Sequence, residues 1–514
     1  MMRARVLLLA GALGACTMEP AYQRPAAPVP PSWPVGDAYL RQSEAALPSV
    51  SYAQVFADPR LQQLIGQAIA NNRDLRIALA NIEQARGQYR IQRSDLFPQV
   101  NTGAGYSFSG TGGGSTTTTT GVGTGTNPGT GTNPGTGTGT GTNPAPNPGT
   151  GTGTQIISRS SSNSRYSVNL GVTAFEVDLF GRVRSLTRAA LDRYLATEAA
   201  ARATRLTLVG DVAQAWLTYA YDRSLLDIAQ GTAATAQRSV AITRARREGG
   251  IAPRPDLRQA QQILALAESD LAAQRTALAQ DVNALQLLVG APVDTALLPE
   301  AINAVADRLA VLPAGVDSRV LLRRPDVVQA EYELRANNAE IGAARAALFP
   351  AISLTGVVGL ASDALRTLFR GGAFNYSVGP SVDYSIFQAG AGRANVAVAR
   401  AQRDAALASY ERAIQSAFRE TADALARQGT IADQLSANRL LVESAADTVR
   451  LTEARYRGGT DTFLSSLDAQ RSLYDAQRTQ ATTLFTAAAN RVDLYRALGG
   501  DQTLDTLPRE VVRP

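Results

Sequence analysis

The 514-residue chain contains no histidine and only one cysteine, Cys16. Without histidine it can form neither a His-containing zinc site nor a Ser/His/Asp or Cys/His catalytic arrangement, and one cysteine cannot build a disulfide framework. Most of the 44 acidic residues lie beside arginines on helical faces, which is typical of a solvated surface. No basic run has aromatic residues interleaved, so the formal charge of +6 does not indicate nucleic acid binding. We therefore predict no enzyme, no metal site and no cofactor.

The first residues have the pattern of an export signal. Two arginines precede an apolar run over residues 6–15, which is too short to span a bilayer as a helix. Leu13-Gly-Ala-Cys16 resembles the lipobox of bacterial lipoproteins, although a spare cysteine in an ordinary signal peptide is an alternative. We predict a signal peptide over 1–15, lipid on Cys16, and an extended, proline-rich tether over 16–55.

The remainder of the chain contains the same pattern twice. The Arg247-Glu-Gly-Gly250 segment matches Arg457-Gly-Gly459 at an offset of 209 residues, and Leu96-Phe-Pro98 matches Leu348-Phe-Pro350 at an offset of 252. The chain is therefore an internal duplication whose first copy carries about 43 extra residues. We predict repeats over 56–290 and 317–499, separated by a connector over 291–316.

Each repeat contains a long pair of helical patterns. Apolar residues recur at helical spacing for about 65 residues, which corresponds to a helix of roughly 100 Å. A compact domain cannot hold such a helix, and a Gly-Gly pair marks the tip where each long helix turns back. The predicted helices cover about 181–248 and 253–289 in the first repeat, and about 391–457 and 461–498 in the second.

After each Leu-Phe-Pro the apolar period changes from helical to two, which predicts strands. They cover about 99–108, 165–178, 351–361 and 374–387, and they are long enough for a tilted membrane span. A half-buried soluble sheet would show the same alternation, but an exported, lipid-anchored chain favours the membrane. Four strands leave two open edges, so several copies must join to close a barrel, and their number is not fixed by this argument.

The extra length of the first copy lies between its two strands. Residues 110–154 are rich in Gly, Thr, Asn and Pro and have almost no apolar side chains, so they cannot form a packed core. We predict a mobile loop on the outside of the cell. A solvated spacer is favoured over a binding role.

Together these segments resemble the TolC-type outer-membrane efflux proteins, in the lipid-anchored branch that works with resistance-nodulation-division pumps. The motifs that carry the resemblance are the lipobox, Asn71-Asn-Arg-Asp-Leu75, Phe180-Gly-Arg-Val-Arg184, Leu322-Arg-Arg-Pro-Asp-Val327, the Leu-Phe-Pro pairs, and Tyr456-Arg-Gly-Gly through Leu467-Asp-Ala-Gln470.

The resemblance implies an α+β membrane protein. In it, three duplicated units form a twelve-stranded transmembrane β-barrel, continued by a long periplasmic α-helical barrel. An equatorial domain would come from the 291–316 connector and the 500–514 tail. The implied function is a passive exit duct for drugs or other small molecules, embedded in outer-membrane lipid. Its partners would be two further copies, a periplasmic membrane-fusion adaptor and an inner-membrane pump.

Two other functions remain open at this stage. A surface protein with a structural or adhesive role would use the 110–154 tract as its working part. A periplasmic adaptor would have one helical hairpin with a lipoyl-like domain, whereas this chain carries a hairpin and two strands in each half.

The resemblance also assigns residues to a gate at the helical tips. Leu464 and Asp468 fall on positions that line the constriction, and Tyr456 and Asp256 fall on positions that help to hold it closed. Three Asp468 carboxylates in one ring would favour cations. Ser465 departs from the pattern, because some family members carry a second aspartate there.

Arg254 and Asp461 lie at comparable heights on opposite hairpins. We hypothesise that they form an ion pair that breaks when the adaptor opens the tip. Two separate solvated charges are the simpler alternative.

Overall fold

The computed structural model describes residues 17–30, 32–34, 51–111, 161–310 and 318–499. These segments form two compact units, one built of helices and one of strands. The predicted signal peptide, the lipidation site Cys16, residues 112–160 of the glycine- and threonine-rich tract and the 500–514 tail lie outside the described residues.

Nine helices are described in the helical unit, and four of them form two long helical hairpins. In chain order they are α1 (Tyr52–Val55), α2 (Pro59–Asn71), α3 (Arg73–Ser94), α4 (Arg182–Glu248), α5 (Arg254–Val289), α6 (Ile302–Val305), α7 (Pro325–Ala346), α8 (Ala391–Arg457) and α9 (Phe463–Leu498). α4 and α8 each have 67 residues, and α5 and α9 each have 36, so the two hairpins match in length.

The helical pattern that begins near Asp58 is divided rather than continuous. Asn72 has a non-helical backbone, with φ −58° and ψ 136°, and its side-chain Oδ1 accepts a hydrogen bond from the Leu75 amide at 2.9 Å. This side chain caps the start of α3, so α2 ends one residue earlier. The apolar period continues across the break, so the periodicity alone does not reveal the boundary between α2 and α3.

The duplication is preserved in a hydrogen bond that recurs in both repeats. Asn72 donates from Nδ2 to the Leu288 carbonyl at 2.8 Å, and Arg324 donates from Nη1 to the Ala497 carbonyl at 2.9 Å. Asn72 and Arg324 are equivalent positions, as are Leu288 and Ala497. In each repeat, the residue that starts a helix therefore satisfies a carbonyl left free at the end of a long hairpin.

The two hairpins also end on equivalent glycines. Gly290 and Gly499 have φ of +71° and +63°, a conformation that favours glycine. A Cβ on Gly290 would lie 2.6 Å from the Asn71 carbonyl oxygen, and a Cβ on Gly499 would lie 2.4 Å from Arg324 Cγ. The turn and the close approach both require glycine at these positions.

The main core of the helical unit surrounds Trp216, which is fully buried on α4. Its indole Nε1 donates to the Leu297 carbonyl at 3.0 Å, which ties the long helix to the connector. The connector contains short helical turns at Thr295–Leu297, Ile302–Val305 and Ala306–Arg308 in its described part. These short elements bury apolar side chains beside the long helices.

Residues 17–30 and 32–34, which we call the N-terminal strap, run extended across the helical unit. The Met18, Pro20 and Pro30 carbonyls accept hydrogen bonds from the Arg345, Asn338 and Ser318 side chains, respectively. Trp33 stacks on Phe418, with 4.8 Å between ring centroids. These contacts attach the strap to the helices along its length. The end of the predicted 16–55 tether is the short helix α1.

The second unit is a four-stranded sheet in the order β1-β2-β3-β4. Its strands are β1 (Val100–Thr111), β2 (Ser161–Glu176), β3 (Ala351–Ser362) and β4 (Phe374–Asp383). β1 pairs with β2 and β2 with β3, both antiparallel, with a bulge between Val172 and Phe175. β4 ends four residues earlier than predicted, although Tyr384 and Ile386 continue the alternation.

β1 and β4 are the outer strands of this sheet, and their side chains are exposed along the described length. Their exposed large apolar residues are Val100, Tyr106, Phe108, Phe374, Tyr376, Val378 and Val382. An outer strand with unpaired backbone groups and an apolar row is a surface that another chain or lipid must cover.

Among the helices described, none is both long enough and apolar enough to cross a membrane.

Candidate functional site

The turn between α8 and α9 is organised by Asp461. Its Oδ1 accepts hydrogen bonds from the Thr462 amide at 2.8 Å and from the Ser465 hydroxyl at 2.9 Å, and its Oδ2 pairs with Arg455 Nε at 3.2 Å. The Ser465 and Thr462 hydrogen bonds, together with Arg455, lower the pKa of Asp461. This carboxylate therefore stays ionised and fixes the start of α9.

The predicted ion pair between Arg254 and Asp461 is not formed within the described chain. Asp461 uses Arg455 of its own hairpin instead, while Arg254 is exposed in the first turn of α5. Arg455 is the nearer partner because it lies in the last turn of α8, just before the same turn, and needs no contact between hairpins. Ser465, which replaces an aspartate of some family members, serves as a hydrogen-bond donor to Asp461.

Leu464 and Asp468 lie one helical turn apart and are both exposed on α9. The opposite face of the same helix is buried, because Phe463, Ser466 and Leu467 pack inward. α9 therefore presents an exposed stripe of one apolar and one acidic side chain. This placement is compatible with the predicted lining of a constriction.

Beneath that stripe lies a small apolar cluster, which we call the tip cluster. Its buried members are Val240, Leu257, Ala260, Phe463 and Leu467. They come from α4, α5 and α9, so both hairpins contribute to one core at this end. Burial of these side chains stabilises the contact between the two hairpins.

Tyr456 packs against the tip cluster through its ring. The ring centroid lies 5.2 Å from that of Phe463, and the Arg246 guanidinium lies 4.5 Å from it on α4. Arg246 Nη1 also donates to the Tyr456 carbonyl at 3.1 Å. Asp256 lies in the first turn of α5, and the Tyr456 hydroxyl has no hydrogen-bond partner among the described residues.

The sequence interpretation missed Arg246. A signal was available, since Arg246 and Arg455 occupy equivalent positions in the two repeats. Arg455 pairs within its own turn, whereas Arg246 reaches the other hairpin. The repeat alone does not reveal which of the two arginines crosses between hairpins.

Further along, a second polar contact joins the hairpins. The Tyr474 hydroxyl of α9 donates to Asp270 Oδ2 of α5 at 2.7 Å. Burial and the neighbouring Asp270 carboxylate raise the pKa of Tyr474 to about 12. Asp270 and Tyr474 also line a groove of about 730 Å³, to which all four long helices contribute.

The described residues contain no group of acidic residues arranged to hold a metal ion. The arrangement offers long paired helices, a four-stranded sheet with uncovered outer strands and a polar stripe at the hairpin tips. Long paired helices together with such strands are typical of a channel-forming protein.

Comparison with known proteins gives the family. The profile of the outer membrane efflux proteins matches residues 64–291 and 316–500, and the chain belongs to this family. It is similar to the antibiotic efflux pump outer membrane protein ArpC of Pseudomonas putida, with 41% identity over 95% of this chain and 93% of the relative. It is also similar to the outer membrane protein OprJ of Pseudomonas aeruginosa, with 39% identity over 96% of this chain and 95% of the relative.

A solved structure supports the fold assignment. The open state of the Neisseria gonorrhoeae MtrE outer membrane channel matches with a TM-score of 0.77 and 33% identity, over 95% of this chain and 98% of that one. The predicted family, the channel fold and the non-enzymatic function are thereby confirmed. The chain is the outer membrane channel component of an efflux pump.

Proposed function

We propose that three copies of this chain form one passive exit duct in the outer membrane. The observation that carries the proposal is the pair of outer strands β1 and β4, whose side chains include a row of exposed aromatic and aliphatic residues. Backbone groups at a sheet edge cannot be left unpaired in lipid. Joining β4 of one copy to β1 of the next satisfies both edges, and three copies give a twelve-stranded barrel.

The duct works with a periplasmic membrane-fusion adaptor and an inner-membrane resistance-nodulation-division pump, which supplies the energy. ArpC is named for antibiotic efflux, and we propose antibiotics and other small organic molecules as the cargo of this chain. A lipid on Cys16 anchors the N-terminus to the same membrane, and the strap joins that anchor to the helices. The rival adhesive function depends on the 110–154 tract, of which residues 112–154 lie outside the described part of the chain.

The gate of the duct lies at the hairpin tips. Leu464 and Asp468 line its narrowest ring, and Tyr456, Asp256, Arg254 and Asp461 surround it. The exposed position of Asp468 supports this assignment, since three copies would bring three carboxylates together. Such a ring binds divalent cations from the periplasm.

Single-channel recording in planar bilayers tests the duct and its gate. The purified protein should form cation-selective channels that divalent cations block from the tip side. Asp468→Ala should weaken that block, whereas Asp475→Ala, two helical turns further from the tip on the same helix, should leave it unchanged. A preparation that forms trimers but no channels would contradict the duct, and unchanged block in Asp468→Ala would contradict the acidic ring.

A further inference from the structure

One arginine joins the two hairpins at the tip. Arg246 lies in the last turn of α4 and reaches Tyr456 in the last turn of α8. Its guanidinium makes two contacts with the same residue, a hydrogen bond of 3.1 Å to the carbonyl and a cation–π contact at 4.5 Å from the ring centroid.

The position of Tyr456 strengthens both contacts. Its carbonyl belongs to the final turn of α8, where the helix dipole favours a cation and where carbonyls lack helical partners. That oxygen also accepts from the Gly459 amide at 3.1 Å, so Arg246 fills its second acceptor site. A planar guanidinium can donate there and stack on the ring at once, which an ammonium cannot do equally well.

The hydroxyl of Tyr456 contributes nothing comparable. The Oη atom is buried and has no hydrogen-bond partner among the described residues. Tyr456 is therefore held by its ring, between Arg246 and Phe463, and by its carbonyl. The ring and the carbonyl of Tyr456, and not its hydroxyl, therefore make the contact between the two hairpins.

We propose that Arg246 is the positioning residue that keeps the second hairpin against the first in the resting duct. The proposal rests on the gate described under the proposed function. If the tip opens by movement of α8 and α9 away from α4 and α5, the contact between Arg246 and Tyr456 has to break. Loss of this contact therefore favours the open arrangement and widens the ring formed by Leu464 and Asp468.

Planar-bilayer conductance of the purified full-length trimer tests the proposal. Arg246→Ala should raise the resting single-channel conductance several-fold, with the trimer and its thermal midpoint unchanged. Arg246→Lys should lie between the two, because it keeps the charge but loses the planar stacking. Arg247→Ala is the matched control, since it removes the same charge from an exposed neighbour and should behave like wild type.

Two substitutions of Tyr456 separate its ring from its hydroxyl. Tyr456→Phe keeps the ring and should raise the conductance much less than Tyr456→Leu, which should conduct like Arg246→Ala. Combining Arg246→Ala with Tyr456→Leu should add little to either change, as expected for two groups that share one contact.

Several results would overturn the proposal. Unchanged or lower conductance in Arg246→Ala would show that the contact does not hold the tip closed. An equal rise in Arg247→Ala would assign the effect to charge alone, and a rise in Tyr456→Phe as large as that in Tyr456→Leu would assign it to the hydroxyl. If the wild-type trimer formed no channel at all, the duct itself would fail, which is a different outcome from a conducting but insensitive protein.

Discussion

Replacing Glu331 by glutamine should loosen the N-terminal strap. Glu331 is only 4% exposed, and its carboxylate accepts hydrogen bonds from Arg24 Nε at 3.0 Å and from the Tyr22 hydroxyl at 3.4 Å. Arg335 of the same helix is a third donor. Burial by itself would raise the pKa of Glu331, but the hydrogen bonds from Arg24 and Arg335 outweigh it and hold the pKa below its ordinary value of 4.5.

The expected magnitude follows from the exposure of the partners. A hydrogen bond to a charged group contributes about 1.5–3 kcal/mol. Because the Arg24 side chain is 48% exposed, solvent screening places its contribution at the low end of that range. A loss of about 1.5 kcal/mol corresponds to about a tenfold increase in the undocked strap, since about 1.4 kcal/mol is a factor of ten.

Limited proteolysis measures this population. Chymotrypsin cleaves after Tyr22 only when the strap leaves the helices, so Glu331→Gln should be cleaved about ten times faster than wild type. Glu340→Gln, on the same helix as Glu331, is the control, because it breaks an ion pair with Arg193 of α4 without touching the strap. Equal cleavage rates for wild type and Glu331→Gln would refute the reasoning.

The pH dependence of the strap gives a second readout of the same prediction. Because the pKa of Glu331 is lowered in the folded protein, its stabilisation is present above the ordinary carboxyl pKa of 4.5 and is lost as the pH falls through the folded value. Acrylamide quenching of Trp33 should therefore increase in wild type only at acidic pH. In Glu331→Gln, quenching should already be high at neutral pH and change little.

Two further predictions concern the long hairpins. In the first hairpin, burial and the facing carboxylate of Asp222 raise the pKa of Asp281 to about 7, so the folded state should gain stability as the pH falls from about 8 through that value. Asp281→Asn should raise the thermal midpoint at about pH 8 and flatten the dependence of stability on pH, while Asp227→Asn should do neither. If Asp281→Asn kept the pH dependence of wild type, the pairing of Asp281 with Asp222 would be contradicted. At the end of the second hairpin, Gly499→Ala should lower the free energy of unfolding by at least about 1–2 kcal/mol, because alanine is strained at positive φ and its Cβ would lie 2.4 Å from Arg324 Cγ. Gly231→Ala, in an open position of α4, should instead be neutral or stabilising by about 0.5–1 kcal/mol, and equal effects of the two in thermal melting would count against the backbone explanation.

Much of the architecture could be predicted because it depends on local periodicity. The alternation after each Leu-Phe-Pro and the helical period on either side of each Gly-Gly pair are written directly in the residue order. The tip glycines Gly250 and Gly459 both have positive φ, as a helix-ending turn requires. The same repeat also led to the family, which the comparisons confirm.

Contacts between distant segments could not be predicted in this way. The break at Asn72 depends on a side chain that caps one helix while it bonds to Leu288 more than two hundred residues away. Similarly, the partner of Asp461 is the nearer Arg455, and the arginine that reaches the other hairpin is Arg246. Equivalent arginines in the two repeats differ in role only because their surroundings differ.

The sequence by itself thus determined the long helices and the strands, because each follows from local spacing, and its duplicated motifs carry the resemblance that gave the class of protein. Only the tertiary structure decided how the strap is held at Glu331 and how Arg246 meets Tyr456. These contacts join residues 307 and 210 positions apart, respectively. Which charges meet over such separations is set by the packing of the helices that carry them, and no local pattern records it.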